Sequence, residues 1–166
     1  DYSEPGCVKV DMTENLKKIL DEMPEEIDGT ATTPAADYLL TIVEGIELLD
    51  EETSEFFHST VAKLLFLCKR GRPDIQTAIA FLCTRVQQPT KHDFNKLYRV
   101  IKYLWKTSDL VLRLSADNLN IVKWWVDASY GVHRYMRSHT GVAMSLRTFA
   151  AFSTSKKLQL ITHHST

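Results

Sequence analysis

The sequence predicts an α+β fold: a strand and a helix at the N-terminal end, three helices in the middle, and an antiparallel sheet toward the C-terminal end. Three observations carry this. Apolar residues recur at helical spacing between 56 and 107, they change to short extended runs rich in Val, Leu, Trp and Phe after 108, and the two parts carry opposite charge. Residues 1–56 hold 16 Asp or Glu against 3 Lys or Arg, whereas residues 57–166 hold 5 against 17. A net charge of −1 therefore hides an acidic leader of −13 joined to a basic remainder of +12. A polyanion is drawn to the second part and repelled by the first.

Composition limits the classes. The 166 residues, 44% hydrophobic and 25% charged, suffice for one medium domain or two small ones. No apolar run approaches the roughly 20 residues that span a bilayer, so no membrane partner is expected. The opening DYSEPGCVKVD has neither the basic start nor the apolar core of a secretory signal. Cys7, Cys68 and Cys83 are an odd number, and the latter two lie in apolar runs. They point to buried thiols of an intracellular, reducing setting, cytoplasmic or nuclear, rather than to a disulfide framework.

The elements follow in order. Val8, Val10 and Met12 alternate as a strand does, and Leu16, Ile19, Leu20 and Met23 then take helical spacing, with Thr13 as N-cap and Pro24 as stop. Residues 24–55 are acidic and punctuated by Gly and Pro, which reads as a loose connecting segment. Ser59 or Thr60 caps the first middle helix, which runs to Cys68 and is broken by KRGRPD. Asp74 caps a second, carrying Ile75, Ala78, Ile79, Leu82 and Val86 on one face, and QQPT ends it. Thr90 caps a third with Phe94, Leu97, Tyr98, Ile101, Leu104 and Trp105 on its apolar face. Opposite lie His92, Lys96, Arg99, Lys102 and Lys106, and a face of that kind can follow a phosphate backbone. After KTSD, the runs LVLRLS, NIVKWWVDAS, TGVAMSLR and TFAAFSTS read as an antiparallel meander whose second strand ends at Asp127. The domain division is thus 1–55, 56–107 and 108–166.

Several of these motifs, in this order, carry a resemblance. RPDI at 72–75, PT at 89–90, YLWKT at 103–107, Asp127 to Tyr130 (DASY) and Arg137 to Gly141 (RSHTG) resemble the polyprotein of copia-type long-terminal-repeat retrotransposons. The region matched is the end of the reverse transcriptase, its thumb and connection, running into a ribonuclease H domain. The resemblance implies a parent that grips an RNA–DNA hybrid and degrades its RNA strand. It makes the sheet an incomplete RNase H-like one and Asp127 the first of four carboxylates that hold two Mg²⁺ ions. The second would be a Glu just beyond Ser165 and Thr166, and the polymerase's paired aspartates have no counterpart, since DD occurs nowhere. Lys63, the basic residues of LCKRGRPDI and the loose KKLQLITHHST depart from the family pattern.

The expectation is therefore a catalytically inactive piece of such an enzyme. Lys96, Arg99, Lys102 and Lys106 would meet nucleic acid, and Asp127 would be a lone catalytic and metal carboxylate that holds Mg²⁺ too weakly to retain it. The alternative is a non-enzymatic nucleic-acid-binding or protein-interaction protein derived from such an element. His133, His139, His163 and His164 lack partners at metal-binding spacing and are read as surface histidines, and Trp105, Trp124 and Trp125 as core. An incomplete sheet also exposes Val122, Trp124 and Val126 or their neighbours on the other face, which favours self-association.

Overall fold

The computed structural model describes residues 1, 6–24, 26–115, 121–146 and 149–159. It confirms the α+β class, with four helices and two antiparallel sheets. The chain sorts into two compact units: a helical one, Met12–Leu110, and a sheet one made of Asp1–Asp11 with Val111–Thr166.

In the helical unit, α1 spans Thr13–Asp21, α2 Glu51–Arg70, α3 Gln76–Cys83 and α4 Lys91–Lys106. Thr13 is the first helical residue of α1 rather than its cap, and Met12 precedes it without a side-chain cap bond. The apolar stripes meet in one core. Phe57, Val61, Leu64 and Leu67 of α2 pack with Ile75 and with Ala78, Ile79, Phe81 and Leu82 of α3, against Leu97, Val100, Ile101 and Leu104 of α4. Leu16, Ile19 and Leu20 of α1 close it from another side.

The start of α2 corrects the sequence reading. Asp50 is the N-cap, its carboxylate accepting the Thr53 N–H at 2.8 Å, and Glu51 and Glu52 favour the positive end of the helix. Ser59 and Thr60 lie inside the helix. Its end is as expected: the N–H groups of Gly71 and Arg72 both donate to the Leu67 carbonyl, at 2.9 and 3.1 Å. Pro73 then opens a short 3-10 turn, Pro73–Ile75, which feeds α3. Asp74 is not a cap there, because its carboxylate is taken by Arg72 and Tyr103. Thr90 does cap α4, in a reciprocal box with Asp93.

The segment between α1 and α2 is not loose. It lies along α4 and runs the opposite way: Glu26 and Asp28 meet Tyr98, Gly29 approaches Lys102, Thr33 meets Arg99, Thr41 meets Lys96, and Glu47 meets Lys91. Ala31 and Leu39 of this strap are themselves buried.

In the sheet unit, β1 (Cys7–Val10) pairs antiparallel with β2 (Leu112–Ser115). The strands β3 (Lys123–His133), β4 (Arg137–Leu146) and β5 (Phe149–Lys157) form a separate antiparallel meander in that order. The first expected strand thus joins the N-terminal strand rather than the meander. The β3–β4 turn holds Tyr135 and Met136 at φ of 61° and 56°, a left-handed pair that reverses the chain.

Candidate functional site

Asp127 stands in the middle of β3, opposite Gly141, not at the end of a strand. Strand alternation puts Lys123, Trp125, Asp127 and Ser129 on one face and Trp124, Val126 and Ala128 on the other. The Asp127 carbonyl accepts the Thr140 hydroxyl at 3.1 Å, so its backbone polar groups face β4. Its carboxylate Oδ1 accepts the N–H of Ala128 at 2.9 Å and is exposed. Among the described residues no three His, Cys, Asp or Glu side chains gather as a metal would need. A single exposed carboxylate does not fit a magnesium site, since that ion asks for several fixed oxygens.

The basic face of α4 divides on inspection. Lys96 is buried, only 3% exposed, with Nζ 4.4 Å from the centre of the Phe81 ring and donating to the Thr41 carbonyl at 2.6 Å. Burial lowers its pKa, and neighbouring Asp93 works against that shift. It cannot reach a phosphate, because the strap occupies the space above it. Arg99 is half-buried and donates to Thr33 Oγ1 at 3.0 Å, while its Nε is enclosed without a protein partner. Lys102 stacks on Tyr98 at 4.9 Å and remains partly exposed, and Lys106 is exposed.

What the helical periodicity did not reveal is where the remaining positive charge collects. Arg72, only 3% exposed, binds Asp74 through Nε and Nη2 at 3.0 and 2.8 Å, and the Thr107 carbonyl and hydroxyl at 2.9 and 2.7 Å. Burial opposes ionisation of Asp74, but Arg72 and the Tyr103 hydroxyl overcome it and hold its pKa below the usual range. This clamp ties the end of α2 to the end of α4. Lys69, Arg70 and Lys106 therefore share one end of the helical unit, with the exposed rings of Phe66 and Trp105 near them in sequence. Arg70 sits over Phe66 at 5.3 Å. Lys63 pairs with Glu22 just after α1.

The histidines are placed differently from the sequence reading. His133 and His139 are buried, with Nε2 of the first 2.8 Å from Nδ1 of the second, and His139 Nε2 lies 2.6 Å from Ser155 Oγ. Burial, then the charge of His139 and of Lys157, pushes the His133 pKa down to about 4. A relation between β3, β4 and β5 brings these three residues together, and only the strand register could have revealed it. His163 and His164 lie outside the described residues. Trp105, Trp124 and Trp125 are exposed rather than core, as are Val122 and Val126. For Trp125 the ring edge is held by an Nε1–H bond to Ser145 Oγ at 3.1 Å.

The architecture is thus a helical bundle with a basic end and a three-stranded antiparallel meander with an aspartate on its first strand. Comparison with known proteins finds a partial relative. Over 104 residues, 62% of this chain, it is 29% identical to a protein of Saccharomyces cerevisiae named "Putative transposon Ty5-1 protein". The match spans 34% of that protein's length. No protein-family model matches the chain. No solved structure matches it.

Proposed function

We propose that the chain is a retrotransposon-derived reverse transcriptase and RNase H segment, of the copia type, that contacts nucleic acid without cleaving it. The observation that carries this reading is the strand order β3-β4-β5 with Asp127 on its leading strand. An RNase H-like sheet opens in the same way, and the similarity to a transposon protein supports the same origin. The parent activity would be RNA-directed DNA synthesis with degradation of RNA in hybrids. In this chain, Asp127 belongs to no group of three metal-ligating side chains among the described residues, so no hydrolytic step is assigned to it. Contact with an RNA–DNA hybrid is assigned to Lys102 and Lys106 of the original face together with Lys69 and Arg70, all at least partly exposed. Phosphates are met by the cations, and Phe66 and Trp105 offer flat apolar surface to unpaired bases.

The test is a salt titration of binding to a labelled hybrid. Replacing Lys69, Arg70, Lys102 and Lys106 with Gln should flatten the dependence of log affinity on log salt by about 1 for each phosphate left without its cation. Lys96→Gln should leave that slope unchanged. An unchanged slope in the fourfold variant defeats the assignment. Hydrolysis of the hybrid in magnesium or manganese should be absent for the chain and for Asp127→Asn alike. Turnover that vanishes in Asp127→Asn would show a working site.

A further inference from the structure

We infer that Thr33 is a phosphate-acceptor site for a proline-directed serine/threonine kinase, and that Arg99 of α4 is placed to hold the phosphate. Thr33 and Pro34 form the only Ser-Pro or Thr-Pro step in the sequence. Thr33 is exposed, on a part of the strap that is neither helix nor strand. Pro34 brings no N–H and disfavours helical backbone at the residue before it, so the acceptor stands outside any hydrogen-bonded element. A proline-directed kinase selects its acceptor by that following proline. In the transfer, Thr33 Oγ1 attacks the γ-phosphorus of ATP, and the new O–P bond forms as the bond to the β,γ-bridging oxygen breaks. ADP leaves, and the hydroxyl proton passes to the kinase's catalytic base.

Arg99 supplies a second, independent observation. Its Nη2 donates to Thr33 Oγ1 at 3.0 Å, while its Nε is enclosed with no partner among the described residues. Nε and Nη2 lie on one edge of the planar guanidinium, a fork that matches two oxygens of a carboxylate or a phosphate. Arg72 turns that same edge to Asp74, its Nε and Nη2 donating to the two carboxylate oxygens at 3.0 and 2.8 Å. In Arg99 the edge faces a hydroxyl, which accepts from one donor and leaves the other without an acceptor. A phosphate on Thr33 Oγ1 brings oxygens for both. The hydroxyl now donates to the Ala35 carbonyl at 2.8 Å, and that neutral bond gives way to two charge-assisted ones. The phosphate, with a charge of roughly −1.5 to −2, then fastens the strap to α4 at a point between Tyr98, which holds Glu26 and Asp28, and Lys96, which holds Thr41.

The full chain incubated with a cyclin-dependent kinase and ATP should gain one phosphate, mapped to Thr33 by mass spectrometry, and Thr33→Val should gain none. By phosphorus NMR, that phosphate should titrate with a midpoint below the roughly 6 of an unpaired phosphothreonine, because the guanidinium favours the dianion. In phosphorylated Arg99→Gln the midpoint should return to about 6. In Arg99→Lys, which keeps the charge and loses the fork, it should fall between the two. A phosphatase should release the phosphate from Arg99→Gln roughly tenfold faster than from the native chain, since the clasp must open before the enzyme can reach it. A folded chain that takes up no phosphate at Thr33 overturns the inference, whether or not a peptide of the strap is phosphorylated. So does a midpoint that is the same in the native chain and in Arg99→Gln. Were Arg99→Gln to lose its helical circular dichroism, Arg99→Lys would carry the same comparison, and a midpoint unchanged in it would equally defeat the clasp.

Discussion

The pair His133 and His139 shows how a single contact ties the sheet to pH. Each ring nitrogen between them can share one proton, so the 2.8 Å contact requires that at least one ring be neutral. Burial, His139 and Lys157 hold the folded pKa of His133 at about 4, below its ordinary value of 6.5. The sign follows from linkage: below about 6.5 the unfolded chain takes up a proton that the folded chain refuses until near 4. Stability of the sheet is therefore full above pH 6.5 and falls as the pH drops toward 4. Burial lowers the His139 pKa in the same direction. The Tm followed by tryptophan fluorescence should decline across that window, and His133→Gln should flatten the decline. A variant with the same pH dependence as the native chain would remove the pair from this role.

At the scale of elements, the strap between α1 and α2 governs what α4 can offer a partner. Residues of unremarkable polarity fasten it: the Tyr98 hydroxyl donates to the Glu26 carbonyl at 3.1 Å and accepts the Asp28 N–H at 3.3 Å, and Lys96 reaches the Thr41 carbonyl. The acidic segment thereby covers much of the basic face that helical periodicity had marked for nucleic acid. Tyr98→Phe removes both bonds while keeping the ring under Lys102, at a cost of about 1 kcal/mol for the hydroxyl interactions. Amide exchange at Asp28 should accelerate in that variant, while exchange in the core of α2 stays as it was. Equal protection at Asp28 would show that the strap is held by Ala31 and Leu39 rather than by the hydroxyl.

For the whole molecule, the acidic leader is part of both units rather than an appendage. It supplies β1 to β2, and it supplies Leu16, Ile19, Leu20 and Leu39 to the helical core, besides the Asp50 cap of α2. Removal of one large core side chain costs about 2–5 kcal/mol. Removal of four together exceeds much of the roughly 5–15 kcal/mol by which domains are stable. A chain of residues 57–166 should therefore lack a cooperative thermal transition and show reduced helix by circular dichroism. A sharp transition in that piece would mean the leader is dispensable. This also makes deletion a poor test of electrostatic competition by the leader, and substitution of surface charges the better one.

By itself the sequence determined the α+β class, the apolar stripes of α3 and α4, the Thr90 cap, the break at Gly71 and Pro73, and the extended runs after 108. Each of these depends on neighbours within a turn or a strand, where spacing and cap chemistry act directly. Only the tertiary structure decided which side of α4 meets solvent, because Lys96 is polar in sequence yet lies under a segment some fifty residues earlier. Asp127 could be picked out by its surroundings in the chain, but its exposure depends on which strands pair beside it. The burial of His133 and His139 likewise came from strand register, and the pairing of β2 with β1 from a contact across most of the chain. Periodicity tells a residue which face of its own element it occupies. What covers that face is set by long-range packing, and no local pattern encodes it.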